Sequence, residues 1–272
     1  MAGQMELKGR TALITGAGGG IGRAIAASLA RRGCNLALAD VDEAGMAQTA
    51  AQIGDGVQIA CYRLDVSDPA AVAAFPQRVQ AQYAGLDLLV NNAGVAMGGT
   101  FEQGTEADFE WLFSINFWGV VRMTRAFLPV LRRSPEARLV NLSSLFGLIA
   151  PPGQTAYVAS KFAVRGFSES LRHELKGSRV GVTVAHPGGV ATAIARNARL
   201  PSGASPAQAE RQIKAFEAML RLSPAVAGET IVRAAERRRP RVLVGADAKL
   251  AAALERLAPV SYWALFSRAI GR

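Results

Sequence analysis

The sequence predicts an α/β protein: a single doubly wound domain whose seven-stranded, mainly parallel sheet carries helices on both faces. Three observations lead there. Short apolar runs alternate with helical stretches along most of the 272 residues. The runs are rich in Val, Ile and Leu and mostly continuous rather than alternating, which describes strands buried on both faces. The first run also passes directly into a glycine-rich turn that opens a helical stretch, as a crossover connection requires.

Taken in order, TALIT (11–15), NLALAD (35–40), VQIACYRLD (57–65) and LDLLV (86–90) are the first four strands. RLVNLSS (138–144), VGVTVAHPG (180–188) and RVLVG (241–245) are the last three. After the third strand, DVSDPAAV offers Ser67 or Asp68 as a helix cap, with Pro69 in the first turn. In GTEADFEW, Thr105 and Asp108 form a variant capping box. The two long helices are expected at about 106–133 and 155–176. Residues 189–224 interrupt the rhythm between the sixth and seventh strands and read as a helical lid, because long insertions at strand ends cover sites. The domain is thus expected to span 1–245. Residues 246–272 form an amphipathic helical extension, with Leu250, Leu254, Leu257, Tyr262, Trp263, Leu265 and Phe266 as its apolar side. That side is expected to rest on its own domain or a partner subunit, with contact to a lipid surface as the alternative.

Bulk properties exclude several classes. Half the residues are hydrophobic, with 28 glycines and 12 prolines, so disorder and collagen-like architectures are out. Cys34 and Cys61 sit in strand-like runs with no CxxC or Cys/His cluster, so neither a disulfide framework nor a metal site is indicated. With no apolar targeting segment and no run long enough to span a bilayer, the expected location is cytoplasmic. The formal net charge is +10, but its basic residues are dispersed and no aromatic platform interleaves with them, so nucleic-acid binding is not expected.

The first turn, TGAGGGIGRA, spaces Gly16, Gly20 and Gly22 as GxxxGxG, with Ile21 between the last two. Such a turn brings backbone close to a pyrophosphate and points a helix N-terminus at it. Asp40 ends the second strand, where a carboxylate accepts hydrogen bonds from an adenosine ribose and repels a 2′-phosphate. No Arg stands beside it in sequence. NAD is therefore expected over NADP, on a Rossmann-type fold. Asp65 and Val66 are placed to frame the adenine, and Asn92, in NNAG (91–94), closes the fourth strand.

In TAYVASKFAV, Tyr157 and Lys161 stand one helical turn apart on one face. Alone, the pair reads as a core tyrosine and a lysine reaching for solvent. Ser144 leaves the fifth strand thirteen residues earlier. Together TGAGGGIG, NNAG, Asn116 in SINFWG, Ser144, YVASK and HPGGVAT resemble the short-chain dehydrogenase/reductase family in motif order over about residues 8–192.

The resemblance implies hydride transfer between a secondary alcohol and a nicotinamide. Tyr157 would be the acid/base and Lys161 would stabilise its phenolate and hold the nicotinamide ribose. Ser144 would hold the substrate oxygen and Asn116 would anchor a water beside the lysine. Ser143, by strand alternation, should point away from the site. Pro187, Gly188, Val190 and Thr192 match the family's loop around the nicotinamide carboxamide. His186 reads as a packed, hydrogen-bonded imidazole, because the tetrad leaves no vacant role.

Substrate contacts are expected from Leu145, Phe146, Gln154, Val190 and Ile194 with Ser144 and Tyr157. Leu148, Ile149, Pro151, Pro152 and Ala195 are further candidates, and Arg196 and Arg199 could swing in. The expected substrate is an apolar ketone or alcohol, aryl, steroid-like or long-chain. A carrier-linked 3-oxoacyl reductase is the alternative enzyme, and a non-catalytic dinucleotide sensor or scaffold the alternative class. The resemblance also implies pairing through the two long helices, hence a homodimer or homotetramer.

Overall fold

The computed structural model describes residues 4–200, 214 and 216–269. Seven strands are present: β1 Thr11–Thr15, β2 Asn35–Asp40, β3 Ile59–Arg63, β4 Leu88–Asn91, β5 Ala137–Leu142, β6 Val180–Pro187 and β7 Arg241–Val244. They lie side by side in the order β3-β2-β1-β4-β5-β6-β7, every neighbouring pair parallel.

Helices α1 Gly20–Ala30, α2 Glu43–Ile53, α3 Pro69–Gln80, α4 Glu106–Phe113, α5 Gly119–Leu131 and α6 Thr155–Glu174 follow in chain order. Then come α7 Pro224–Glu236, α8 Ala246–Leu257 and α9 Tyr262–Ala269. No helix among the described residues is long and apolar enough to cross a membrane.

The apolar faces sort into two layers. Ile25 and Leu29 of α1, Met46 of α2 and Ile231 of α7 bury against one side of the sheet. Phe75 of α3 with Met123 and Phe127 of α5 bury against the other. The inner strands β1, β4 and β5 are buried at every position, as continuous apolar runs require. The edge strand β3 is shorter than VQIACYRLD and alternates in exposure, because it has a neighbour on one side only.

Local chemistry sets the helix starts. Asp68, not Ser67, caps α3, accepting from Ala70 N and Ala71 N, while the Ser67 hydroxyl donates to Asp65. Thr105 and Asp108 form the expected capping box of α4. The helix predicted at 106–133 is interrupted: residues Ser114–Trp118 form a π-helical turn between α4 and α5. Buried amides then fix α5 and α6 on the sheet. Asn91 Nδ2 donates to Asn141 Oδ1 at 2.9 Å and to Thr124 of α5, and Asn141 donates to Ser168 of α6.

Strand order reverses between β1 and β4, so the crevice outside their carboxyl ends is where an open α/β sheet binds ligands. Gly16, Asp40, Asn92, Ser144 and Gly188 all stand just at or past those ends. The fold assembles them from five strands.

Candidate active site

The turn after β1 is held by its neighbours. Gly16 has φ +67°, and a Cβ there would lie 2.7 Å from Asn92 Nδ2. A Cβ on Gly22 would lie 2.0 Å from the Gly16 carbonyl oxygen, so only glycine permits this closure. Asn92 donates from Nδ2 to the carbonyls of Thr15 and Gly16, each at 2.9 Å, which locks the turn to the end of β4. Ile21 packs on the core behind the turn. Gly20 faces Thr192, whose Cγ2 would be 3.0 Å from an added Cβ, so the loop after β6 meets the turn there.

This cradle fits a dinucleotide. The N-terminus of α1 has no side-chain cap and no acidic residue in its first turn, leaving its N–H groups and positive dipole end for an anion. Asp40 Oδ2 accepts from Gly18 N at 2.7 Å and Oδ1 from Asp42 N at 3.1 Å, which fixes its carboxylate beside the turn. The fold does bring a guanidinium near. Arg23 donates to the carbonyls of Gly18 and Gly45, to Gln48 and to Thr49, so it braces the turn. Asp65 accepts from Ser67 in a local turn, and the Val66 side chain packs in the core against Gly119.

At the reaction end, α6 carries Tyr157 and Lys161, both buried, facing the end of β5. Burial pushes the Tyr157 phenol up to about 12, and the nearby Ser144 side chain offsets this only in part. Burial brings Lys161 down to about 8. Its ammonium lies 5.5 Å from the Tyr157 ring centroid and donates to the Leu142 carbonyl at 3.3 Å. Burial thus favours the neutral form of both groups, the phenol of Tyr157 and the amine of Lys161.

Asn116, in the π-helical turn and fully buried, accepts from Val95 N at 2.8 Å and donates to the Val95 carbonyl and to Ser160 Oγ. Ser160 in turn donates to the Tyr157 carbonyl at 2.7 Å. The side chain of Asn116 is thus a clamp between the loop after β4 and α6, with one Oδ1 lone pair left for a water. Ser143 points away from Tyr157, as strand alternation predicts, and donates to the Lys161 carbonyl at 2.8 Å. His186 is buried, with Nδ1 3.0 Å from the Ser144 carbonyl oxygen.

Ser144 and Tyr157 open onto a cavity of about 890 Å³. Leu145, Phe146 and Gln154 line it as expected, as do Pro151, Pro152 and Ala195. Gln154 Oε1 is buried without a partner among the described residues. Two expected contacts fall elsewhere. Val190 lies in the core under the sheet and bridges to Leu222 instead of lining the cavity. Ile194 packs in the cluster that holds Leu112 and Tyr157, behind the cavity wall. Leu148 and Ile149 are buried in the protein. Arg196 and Arg199 pair with Glu217 and Asp108. Residues 201–213 and 215 of the expected lid lie outside the described residues.

The profile of the short chain dehydrogenase family matches residues 10–202, which contain the glycine turn, Ser144, Tyr157 and Lys161. The chain belongs to the short-chain dehydrogenase family. This short-chain dehydrogenase is 43% identical over 271 residues to SadH of Mycobacterium tuberculosis, a protein provisionally named an oxidoreductase, covering 98% of this chain and 97% of that one. A crystal structure of a short-chain dehydrogenase/reductase from Burkholderia phymatum in complex with NAD superposes with a TM-score of 0.86 at 32% identity, covering 93% of this chain and 95% of that one. The 3-ketoacyl-(acyl-carrier-protein) reductase of Brucella melitensis, complexed with NADH, gives a TM-score of 0.75 at 25% identity, covering 88% and 98%.

Four features of this short-chain dehydrogenase were not read from its sequence. Arg23 and Ser160 brace the turn and the tyrosine through contacts that only the folded chain makes. Asp247 accepts from Gly189 N at 2.7 Å, and Trp263 and Phe266 line the cavity. An acid in the first turn of a helix just past the last strand was the one available hint of Asp247.

Proposed function

We propose that this short-chain dehydrogenase interconverts a secondary alcohol and a ketone with NAD(H), on an apolar substrate. The observation that carries the reading is Ser144 and Tyr157 together at the wall of a mostly apolar cavity, with Lys161 buried one helical turn on. The Gly16–Gly22 turn, Asp40 and the Gly188 loop would hold the dinucleotide. NAD bound there supplies the acceptor or donor of hydride.

The chain's own residues handle the proton. Ser144 Oγ orients the substrate oxygen, and Tyr157 Oη gives its proton to that oxygen as a ketone is reduced, or takes it as an alcohol is oxidised. A phenol held near 12 is in the donating form at neutral pH, which suits reduction. Lys161, about one buried positive charge below the ring, offsets the negative charge left on Oη. Asn116, through Val95 and Ser160, keeps α6 in register and can anchor a water on its free lone pair.

Apolar residues dominate the cavity, which favours a ketone or alcohol with an aryl or long aliphatic arm. Asp40 supports NAD over NADP. It weighs less against a carrier-linked 3-oxoacyl reductase than the sequence suggests, since a reductase of that kind with this fold is complexed with NADH. Exposed Trp118 and Phe162 support pairing of two copies through the α5 and α6 side.

The test is a panel of ketones and alcohols with NAD(H) and NADP(H), followed by absorbance of the reduced nicotinamide, with Tyr157→Phe beside the wild type. Turnover by the wild type, lost in Tyr157→Phe with NADH binding retained, is the expected result. Near-native turnover by Tyr157→Phe would sink the assignment. Ser143→Ala should be mild beside Ser144→Ala.

A further inference from the structure

The two helices after β7 build part of the reaction cavity. Asp247, in the first turn of α8, accepts from Ala248 N at 2.9 Å with Oδ1 and from Gly189 N at 2.7 Å with Oδ2. A Cβ on Gly188 would sit 2.1 Å from Asp247 Oδ1, so the carboxylate is seated tightly on the turn after β6. At the other end of the segment, Tyr262 Oη accepts from Ala150 N at 2.9 Å. Anchored at its first residue, α9 buries Phe266, only 4% exposed, in one cluster with Leu145 and Ile149 of the stretch that follows Ser144.

Trp263 and Phe266 lie with ring centroids 6.2 Å apart. Both face the cavity that Ser144 and Tyr157 open onto. A substrate oxygen held by those two hydroxyls leaves the rest of the molecule to extend toward a wall made of two aromatic rings. Such a wall gives an apolar arm dispersion and desolvation energy and gives a polar arm no partner.

We propose that α9 is the substrate-selecting wall of this site, and that Trp263 and Phe266 set how long an apolar arm the enzyme accepts. The inference rests on the proposed alcohol–ketone chemistry for its substrate class. On the outer side of the same helix, Leu265 is 43% exposed and has no part in the wall.

The test measures affinity and turnover separately. Straight-chain methyl ketones of increasing length are titrated calorimetrically with oxidised NAD present, so that no turnover occurs, and the same ketones are assayed with NADH. Trp263→Ala and the milder Phe266→Leu should move the tightest-binding length to longer ketones. The gain should be about tenfold for the first ketone too long for the wild type. Leu265→Ala should leave the length preference where it was, and retained NADH binding shows that each variant is folded.

An unchanged length preference in both wall variants overturns the inference. A shifted preference with no reduction of any ketone leaves the wall standing and removes the proposed reaction. If the wild type binds no ketone in the series, both fall.

Discussion

His186 Nδ1 lies 3.0 Å from the carbonyl oxygen of Ser144, with the imidazole wholly buried at the end of β6. A carbonyl only accepts, so Nδ1 carries a proton. Burial pushes the imidazole down to about 4, which keeps the ring neutral, and Nε2 has no hydrogen-bond partner among the described residues. Between pH 6.5 and about 4 the unfolded chain binds a proton at this position and the native chain does not. Stability should therefore fall as pH drops through that window. In urea titrations across pH, His186→Asn should flatten that part of the profile while its amide still donates to Ser144 and preserves turnover. Glu229, held at about 2 by Arg32, acts in a separate window below 4.5. An identical slope in His186→Asn would assign the effect elsewhere.

Lys161 gives the proposed reaction an alkaline limit. Burial sets its ammonium at about 8, so above that pH the free enzyme loses the charge behind Tyr157. For ketone reduction, kcat/KM should be level below pH 8 and fall above it, because that ratio reports the free enzyme. A profile level to pH 10 would show that the lysine's charge is not needed or that it titrates higher.

Gly147 is the floor on which the Ser143–Lys161 contact rests. A Cβ there would meet Ser143 Oγ at 2.1 Å and the Lys161 carbonyl oxygen at 2.8 Å. Gly147→Ala should lower stability by about 1–3 kcal/mol as the turn and α6 are pushed apart. Adding Ser143→Ala removes one of the two collisions, so the double variant should melt above Gly147→Ala alone. Additive losses in a double-mutant cycle would mean that the two residues are not coupled.

Asp40 both selects and shapes. Its carboxylate would repel a 2′-phosphate, so NAD(H) should be used at least about tenfold better than NADP(H), a difference of about 1.4 kcal/mol. The bonds from Gly18 N and Asp42 N add a second consequence. Asp40→Ala should narrow the gap between the cofactors and also weaken NAD itself, because the turn loses its brace. Kinetics with both cofactors read the two effects apart, and a native preference for NADP(H) would contradict the reading of this carboxylate.

What was legible in the sequence was local. Buried strands announce themselves in runs of five or six apolar residues, and Tyr157 and Lys161 meet because a helix repeats about every four. The Thr105–Asp108 cap needed only a short window. The choice of Asp68 over Ser67 did not, because it depends on the Ser67 hydroxyl being taken by Asp65. Residues joined across the fold left no pattern to read. Gly189 and Asp247 are 58 positions apart, and Ala150 and Tyr262 are 112. The Val190 side chain, expected at the cavity, lies in the core for a related reason: only the path of the chain decides which way a loop residue turns.

The π-helical turn at Ser114–Trp118 has a consequence for insertions and deletions. Such a turn holds one residue more than a regular α-helical turn. Deleting any one of its residues would let α4 and α5 fuse into one unbroken helix that keeps their relative facing but loses the wide turn that aims Asn116. Asn116 would swing away from Val95 and Ser160. No substitution elsewhere could restore it, because the error would lie in the residue count and not in any side chain. The residue count between Phe113 and Gly119 is therefore as much a part of the site as Asn116 itself.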